Sequence, residues 1–146
     1  MDLLTIAKNI AEGVEAESLR QHVPVAVTVI DRHGNVVLVH RMTGAPAFSL
    51  DLSERKAYTS ALVGMRTADL VSLVQPGAEL YPLLAVSGGR YSAMGGGVPL
   101  TSEGQVIAGV GVSGGTVDQD VGIVEAAMVG LGGAAAELDD EGMVVT

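Results

Sequence analysis

Residues 23–41, VPVAVTVIDRHGNVVLVHR, decide the fold. Pro24 ends any helix that precedes it, because it cannot donate to the helical ladder and restricts its neighbour. Val25-Ala26-Val27-Thr28-Val29-Ile30 is β-branched and nearly all apolar, which is the pattern of a central strand covered on both faces. Asp31-Arg32-His33-Gly34-Asn35 supplies turn chemistry, and Val36 to Arg41 returns. Two strands joined so closely must pair antiparallel, whereas a parallel array would alternate single strands with helices.

On the N-terminal side, Leu3, Ile6, Ala7, Ile10, Ala11 and Val14 recur at helical spacing from Asp2 to Arg20. On the C-terminal side, residues 47–74 keep a helical pattern, with Ser49 as N-cap, Asp51 in the first turn and Gly64 as a weak point in the middle. Pro76-Gly77 closes that stretch, and Leu80 to Val86 is expected to be a short strand. Val98-Pro99-Leu100, a turn at Ser102-Glu103-Gly104, and Gln105 to Val112 predict a second hairpin. Ser113-Gly114-Gly115 breaks it, and Thr116 or Asp118 is placed to cap a last helix from about Val121 to Leu138. The expected architecture is α+β: a mainly antiparallel sheet of about five strands with helices on both faces.

The chain has 146 residues, enough for one domain, taken as 1–138 with an acidic, frayed tail at 139–146. No apolar run reaches the ~18 residues of a spanning helix, so no membrane partner is expected. Asp2, Glu12 and Glu15 are unlike a secretory signal, and the expected compartment is the cytoplasm. The absence of cysteine excludes disulfides, a thiol nucleophile and Cys-ligated metal. Residues 1–90 carry nine acids and all eight basic residues, while residues 91–146 carry eight acids and no Lys or Arg. With four aromatic residues and no basic stripe, the chain is not built to bind nucleic acid. An anionic ligand must use Arg41, Lys56, Arg66, Arg90 or backbone amides.

Glycine is abundant, 20 of 146 residues against a usual ~7%. Nine glycines fall in two clusters (88–97 and 109–115), which suit either close backbone packing or the lip of a ligand pocket beside Arg90. Gly109-Val110-Gly111-Val112-Ser113-Gly114 is not a dinucleotide fingerprint, since its first glycines lie inside a strand after a hairpin. His22, His33 and His40 form no metal-ligand pair by spacing, although one axial histidine can hold a haem. Lys56, one of two lysines, shares a helical face with Leu52, Thr59, Ser60 and Val63. It reads either as a surface lysine or as an anion-binding or catalytic amine. Asp118 and Asp120 suit a helix N-terminus, or a carboxylate aimed at a pocket.

Four stretches, in this order, resemble one family. VPVAVTVIDRHGNVVLVHRMTGA (23–45) is similar to its strand-turn-strand ending in an RMDGA-type motif, and SERKAYTSAL (53–62) to its A-x-x-K-A-x-T-A helix. GGGVPL (95–100) resembles its GG-x-P element, and GQVIAGVGVSGGTVDQD (104–120) its G-x-V-I-G-A-I-G-V-S-G…D segment. This is the GlcG/HbpS-like family, also called the haem-degrading or PduO C-terminal-domain family. The chain departs from it at Thr43, Ser53 and Ser60.

The resemblance implies a three-layer αβα sandwich that assembles into dimers, tetramers or octamers. It implies ligand-binding positions at Arg41, Lys56, Gly95, Gly96, Gly97, Pro99 and Ser113, with Arg90 added from its place beside the glycines. Its first functional implication is binding of haem or a related tetrapyrrole; no shared motif fixes the iron ligand, and if haem is bound the candidates are His22 or His40. A second is a metal-free catabolic enzyme of isomerase, hydratase or lyase type acting on a small carboxylated molecule, with Lys56, Asp120 and Arg41 as catalytic residues. A third is an accessory or assembly subunit, for which the small residues Gly130, Gly132, Gly133 and Ala134 to Ala136 allow close helix packing.

Overall fold

A computed structural model describes residues 2–131 and the backbone of the strand residues 137–138 and 144–145. The first hairpin forms as its sequence requires: β1 (Ala26–Asp31) and β2 (Val36–Arg41) pair antiparallel. Asp31 Oδ1 accepts from the amides of His33 and Asn35, at 2.9 and 3.0 Å, and so closes the turn. The second hairpin joins β3 (Gly97–Ser102) to β4 (Gln105–Ser113). β1 also pairs antiparallel with β4, so the main sheet runs β2-β1-β4-β3.

Helix α1 (Leu3–Gln21) and helix α4 (Val117–Val129) cover one face of this sheet. They bury Ile6, Ile10, Val14, Ile123 and Met128 against Val27, Val29, Val98, Leu100, Val110 and Val112. Helix α2 (Ser49–Val63) covers the other face, with its backbone against β4, β1 and β3. β1 is therefore buried on both sides, as its composition predicts. The three-layer αβα arrangement is the expected one.

Several elements differ from expectation. The main antiparallel sheet has four strands, and the two-residue strands β5 (Glu137–Leu138) and β6 (Val144–Val145) extend it to six. The 47–74 helix stops at Val63, because Gly64 takes a left-handed conformation (φ 78°) and its amide closes on the Ser60 carbonyl. A one-turn helix α3 (Thr67–Leu70) and a 3₁₀ turn (Val71–Leu73) follow. Leu80 to Val86 is no strand: Tyr81–Gly89 forms 3₁₀ turns broken at Val86, Ser87 and Gly88. Ser49 is not the N-cap of α2. It is the first helical residue, and Phe48 in the cap position makes no side-chain bond. The last helix ends at Val129 rather than Leu138, and Thr116 caps it in a reciprocal box with Gln119. The 132–136 part of the small-residue stretch, and residues 139–143 and 146 of the acidic tail, lie outside the described residues.

Candidate functional site

The α2 face of the sheet is lined by residues without bulk. Side chains on opposite positions of paired strands share a face, so Val39, Thr28, Gly111 and Gly97 make one row, and Ile30 and Gly109 belong to the next. A Cβ on Gly97 would lie 2.5 Å from the Lys56 carbonyl oxygen. On Gly109 and Gly111 it would strike the carbonyls of Ala57 and Ser53. The glycines of β3 and β4 therefore serve close packing of α2.

Lys56 projects from α2 into this seam and is fully buried. Its Nζ donates to the Val112 carbonyl at 2.9 Å and to Asp120 Oδ2 at 3.0 Å. The other oxygen of Asp120 accepts from the Gly115 amide at 2.9 Å. Burial pushes the Lys56 ammonium below its usual range and the Asp120 carboxyl above its own, and each partner's charge opposes the shift of the other. Gly96 makes the chamber possible: it holds φ 126°, and a Cβ there would touch the Lys56 ammonium. Sequence reasoning singles out Lys56, Asp120 and Gly95 to Gly97, and the structure brings them together; Gly95 packs on Val121 and Val117.

The next row of the same face is Arg41, Ala26 and Ser113. Ser53 lies over the preceding row, shown by its 2.8 Å hydrogen bond to Thr28. One turn back along α2 is Ser49, above the Ala26 row. Ser49 and Ser113 are fully buried, and neither hydroxyl has a hydrogen-bond partner. Arg41 is exposed and makes no ion pair among the described residues. Sequence reasoning missed Ser49 because serine there also satisfies a capping rule.

Arg90 is engaged elsewhere. It pairs with Glu54 at 3.0 Å and stacks 3.9 Å over the Tyr58 ring, which itself meets Tyr91. Pro99 is buried on the α2 face of β3. His22 ends α1 in a left-handed conformation and borders a hollow of about 170 Å³ with Ser18, Pro24 and Met42. His40 is exposed on β2, and its Nδ1 lies 2.7 Å from Glu15 Oε1 on α1.

A larger groove of about 430 Å³ runs between α2 and the 71–94 segment. Its walls are Leu52, Val71, Val74, Leu84 and Ala93, with Arg55, Tyr91 and Met94 among the groups that line it. Ligand sites are commonly ~300–1,000 Å³, mostly apolar, with a few polar groups. The groove falls in that range and the His22 hollow does not. Among the described residues no three His, Asp or Glu side chains cluster as a metal site, and no helix is long and apolar enough to cross a membrane.

Three layers around an antiparallel sheet, with α2 seated on glycines over a buried Lys–Asp pair, define the class of protein. The sequence pattern of the haem-degrading protein HbpS-like family matches residues 4–141, and the chain belongs to that family. An uncharacterized 15.0 kDa protein from the dhaT–dhaS intergenic region of Citrobacter freundii is 44% identical over 125 residues, covering 86% of this chain and 88% of that protein. The corrinoid adenosyltransferase PduO of the same organism is 38% identical over 83% of this chain, which spans only 36% of that enzyme. The crystal structure of the PduOC:heme complex superimposes with a TM-score of 0.85 and 31% identity, covering 92% of this chain and 97% of its own.

Proposed function

We propose that this protein binds haem or a related tetrapyrrole, and that the groove between α2 and the 71–94 segment receives it. The observation that carries the proposal is the composition of that groove: apolar walls around about 430 Å³, with an arginine and two soft or phenolic donors on its lining. Arg55 gives its Nε to Asp51 and its Nη1 to the Gly89 carbonyl, which holds it at the groove. Its Nη2 suits a propionate, and the Met94 sulfur and Tyr91 hydroxyl are both ligand types that haem iron accepts. Haem, when bound, supplies redox and oxygen chemistry. The chain supplies the apolar walls that exclude water and the charge that orients the carboxylates. The PduOC:heme complex in the same family supports the reading. His22 and His40 remain the competing iron ligands. His40 sits on the α1 face of the sheet, across from the groove, so the two sites are separable.

Haemin titration of the apo-protein, followed at the Soret band, tests this. One-to-one binding weakened at least tenfold by Met94→Leu or Tyr91→Phe, and kept in His22→Ala and His40→Ala, is the expected result. Loss in His40→Ala alone would move the site to the β2 edge. No saturable binding would end the tetrapyrrole reading. Assembly into a homo-oligomer belongs to the same proposal, and sedimentation velocity of the purified chain checks it.

A metal-free enzyme is the second reading, favoured by one observation: burial drives the Lys56 and Asp120 pKa values toward each other, as in acid–base pairs. Proton transfer to a substrate then requires the α4 N-terminus to open, since both side chains are closed to solvent. Hydrogen exchange at the Gly115 amide measures that opening.

A further inference from the structure

The groove between α2 and the 71–94 segment is walled almost wholly by that segment. Leu52 and Arg55 come from α2, and every other group on the lining belongs to residues 71–94. The width of the groove therefore depends on where the segment sits. We propose that residues 75–89 are a lid over the groove, and that Arg90 is the latch that holds the lid down. The ligand of the lid rests on the tetrapyrrole reading; its motion does not.

Three observations point the same way. The lid is folded on itself rather than on the core. Ala78, Leu80, Tyr81 and Leu83 give their amides to the carbonyls of Gln75, Leu73, Ala78 and Leu80. Between Val71 and Tyr91 the one buried residue is Val74. A segment with so few buried apolar contacts belongs to the part of a structure that opens most readily.

The second observation is a hinge. Val86 is extended (ψ 155°), and Ser87, Gly88 and Gly89 follow in the left-handed region, with φ of 55°, 66° and 78°. Ser87 carries a Cβ, so its conformation is strained and persists only while surrounding contacts hold it.

Those contacts are the third observation. Arg55 gives its Nη1 to the Gly89 carbonyl. Arg90 gives its Nη2 to Glu54 Oε1 at 3.0 Å and to the Gly34 carbonyl at 3.4 Å, and its guanidinium lies 3.9 Å over the Tyr58 ring. One side chain thus ties the end of the lid to α2 and to the β1–β2 turn. Just beyond it, the Ser92 amide donates to Thr59 Oγ1 at 2.8 Å, a buried joint where the chain enters the core. Leu84 and Met94 line the groove and are still 37% and 46% exposed. An apolar guest therefore gains by drawing the lid over itself.

The test pairs amide-resolved hydrogen exchange of the full chain with stopped-flow haemin binding, in the parent, Arg90→Gln and Glu54→Gln. Releasing the latch should speed exchange of the Ser92 amide at least tenfold in both variants. The amides of Val29 and Val110, on the paired strands β1 and β4, should not change. Arg90→Lys keeps a charge for Glu54 but lacks the planar group that stacks on Tyr58, so it should fall between the parent and Arg90→Gln. Unchanged exchange at Ser92, or an equal rise at Val29 and Val110, overturns the latch. With haemin, association and dissociation should both quicken at least fivefold in Arg90→Gln, because one opening limits both. Faster dissociation alone would mean that Arg90 grips the ligand itself, and the latch would fall. If haemin does not bind the parent, the tetrapyrrole reading ends and exchange at Ser92 decides the latch by itself.

Discussion

The two faces of the sheet are built on opposite principles. The face under α1 and α4 is filled with volume: Val27, Val29, Leu100, Val110, Val112, Ile10, Ile123 and Met128 are buried among one another. The face under α2 is emptied of it. There Gly97, Gly109 and Gly111 let a helix backbone approach, and Thr28, Ser53, Lys56 and Ser113 bring polar atoms into the seam. The first arrangement draws its stability from area removed from water. The second depends on polar groups finding partners.

The largest test of this contrast is Lys56. Lys56→Met leaves the Asp120 carboxylate buried without its cation, and breaking a buried pair commonly costs ~3–5 kcal/mol. Urea denaturation at neutral pH should show a loss of that size. The double variant Lys56→Met/Asp120→Leu should recover most of it, since a well-packed apolar pair often matches a buried ion pair. The pH dependence has a defined sign. Asp120 is already held above its ordinary carboxyl range by burial, and losing the Lys56 charge raises it further. A group whose folded pKa is raised binds more protons when folded, so its penalty shrinks as pH falls through that folded pKa. The stability deficit of Lys56→Met relative to the parent should therefore narrow from pH 7 toward pH 5. A deficit that does not narrow would show that Asp120 ionises freely and that the seam is wet.

A second comparison sets volume against space. Ile10→Ala, on the filled face, should cost ~2–5 kcal/mol through lost burial and a residual cavity, while Ile10→Val should cost ~0.5–1.5 kcal/mol. Gly111→Ala, on the emptied face, adds one methyl group where the Ser53 carbonyl lies. Overpacking of this kind typically costs ~1–3 kcal/mol. Since the obstacle is helix backbone, the upper end is expected. If Gly111→Ala is neutral in thermal denaturation, α2 is not seated on the glycines, and the close-packing account of them fails.

The same contrast explains what the sequence reveals. Both hairpins and the doubly buried strand are legible because β-branched runs and turn residues act locally, within a few positions. The four family-like stretches extend that reading to the three layers. The end of α2 is less legible: Gly64 inside an apolar periodic run is equally a weak point and a left-handed cap, and only tertiary context separates the two. The Tyr81–Gly89 segment looks like a strand by composition, yet it winds into 3₁₀ turns and its Ser87, Gly88 and Gly89 take positive φ (55°, 66° and 78°), which no strand allows. Lys56 and Asp120 stand 64 residues apart, on helices that cover opposite faces of the sheet, and meet beside the Val112 carbonyl near the end of β4. Sequence can nominate each of them but cannot give the contact. Ser49 is invisible from sequence, because an orphaned hydroxyl is a property of three-dimensional packing.

The finest test lies in the Thr28–Ser53 hydrogen bond that joins β1 to α2 across the emptied face. Ser53 Oγ donates to the Leu50 carbonyl at 3.1 Å and lies 2.8 Å from Thr28 Oγ1. A hydroxyl has one proton, so Thr28 is the donor in the pair and Ser53 the acceptor. The two single variants are then unequal. Thr28→Val removes the donor and leaves Ser53 with its bond to Leu50 intact, a loss near the ~0.5–1.5 kcal/mol of one hydrogen bond. Ser53→Ala strands the buried Thr28 hydroxyl without an acceptor, which costs ~1–3 kcal/mol. The double variant should fall close to Thr28→Val alone, because no donor is left unpaired. A thermodynamic cycle from urea denaturation reads all three values. Equal single costs that add in the double variant would mean that the seam is held by packing alone, and the distinction between the two faces would reduce to side-chain size.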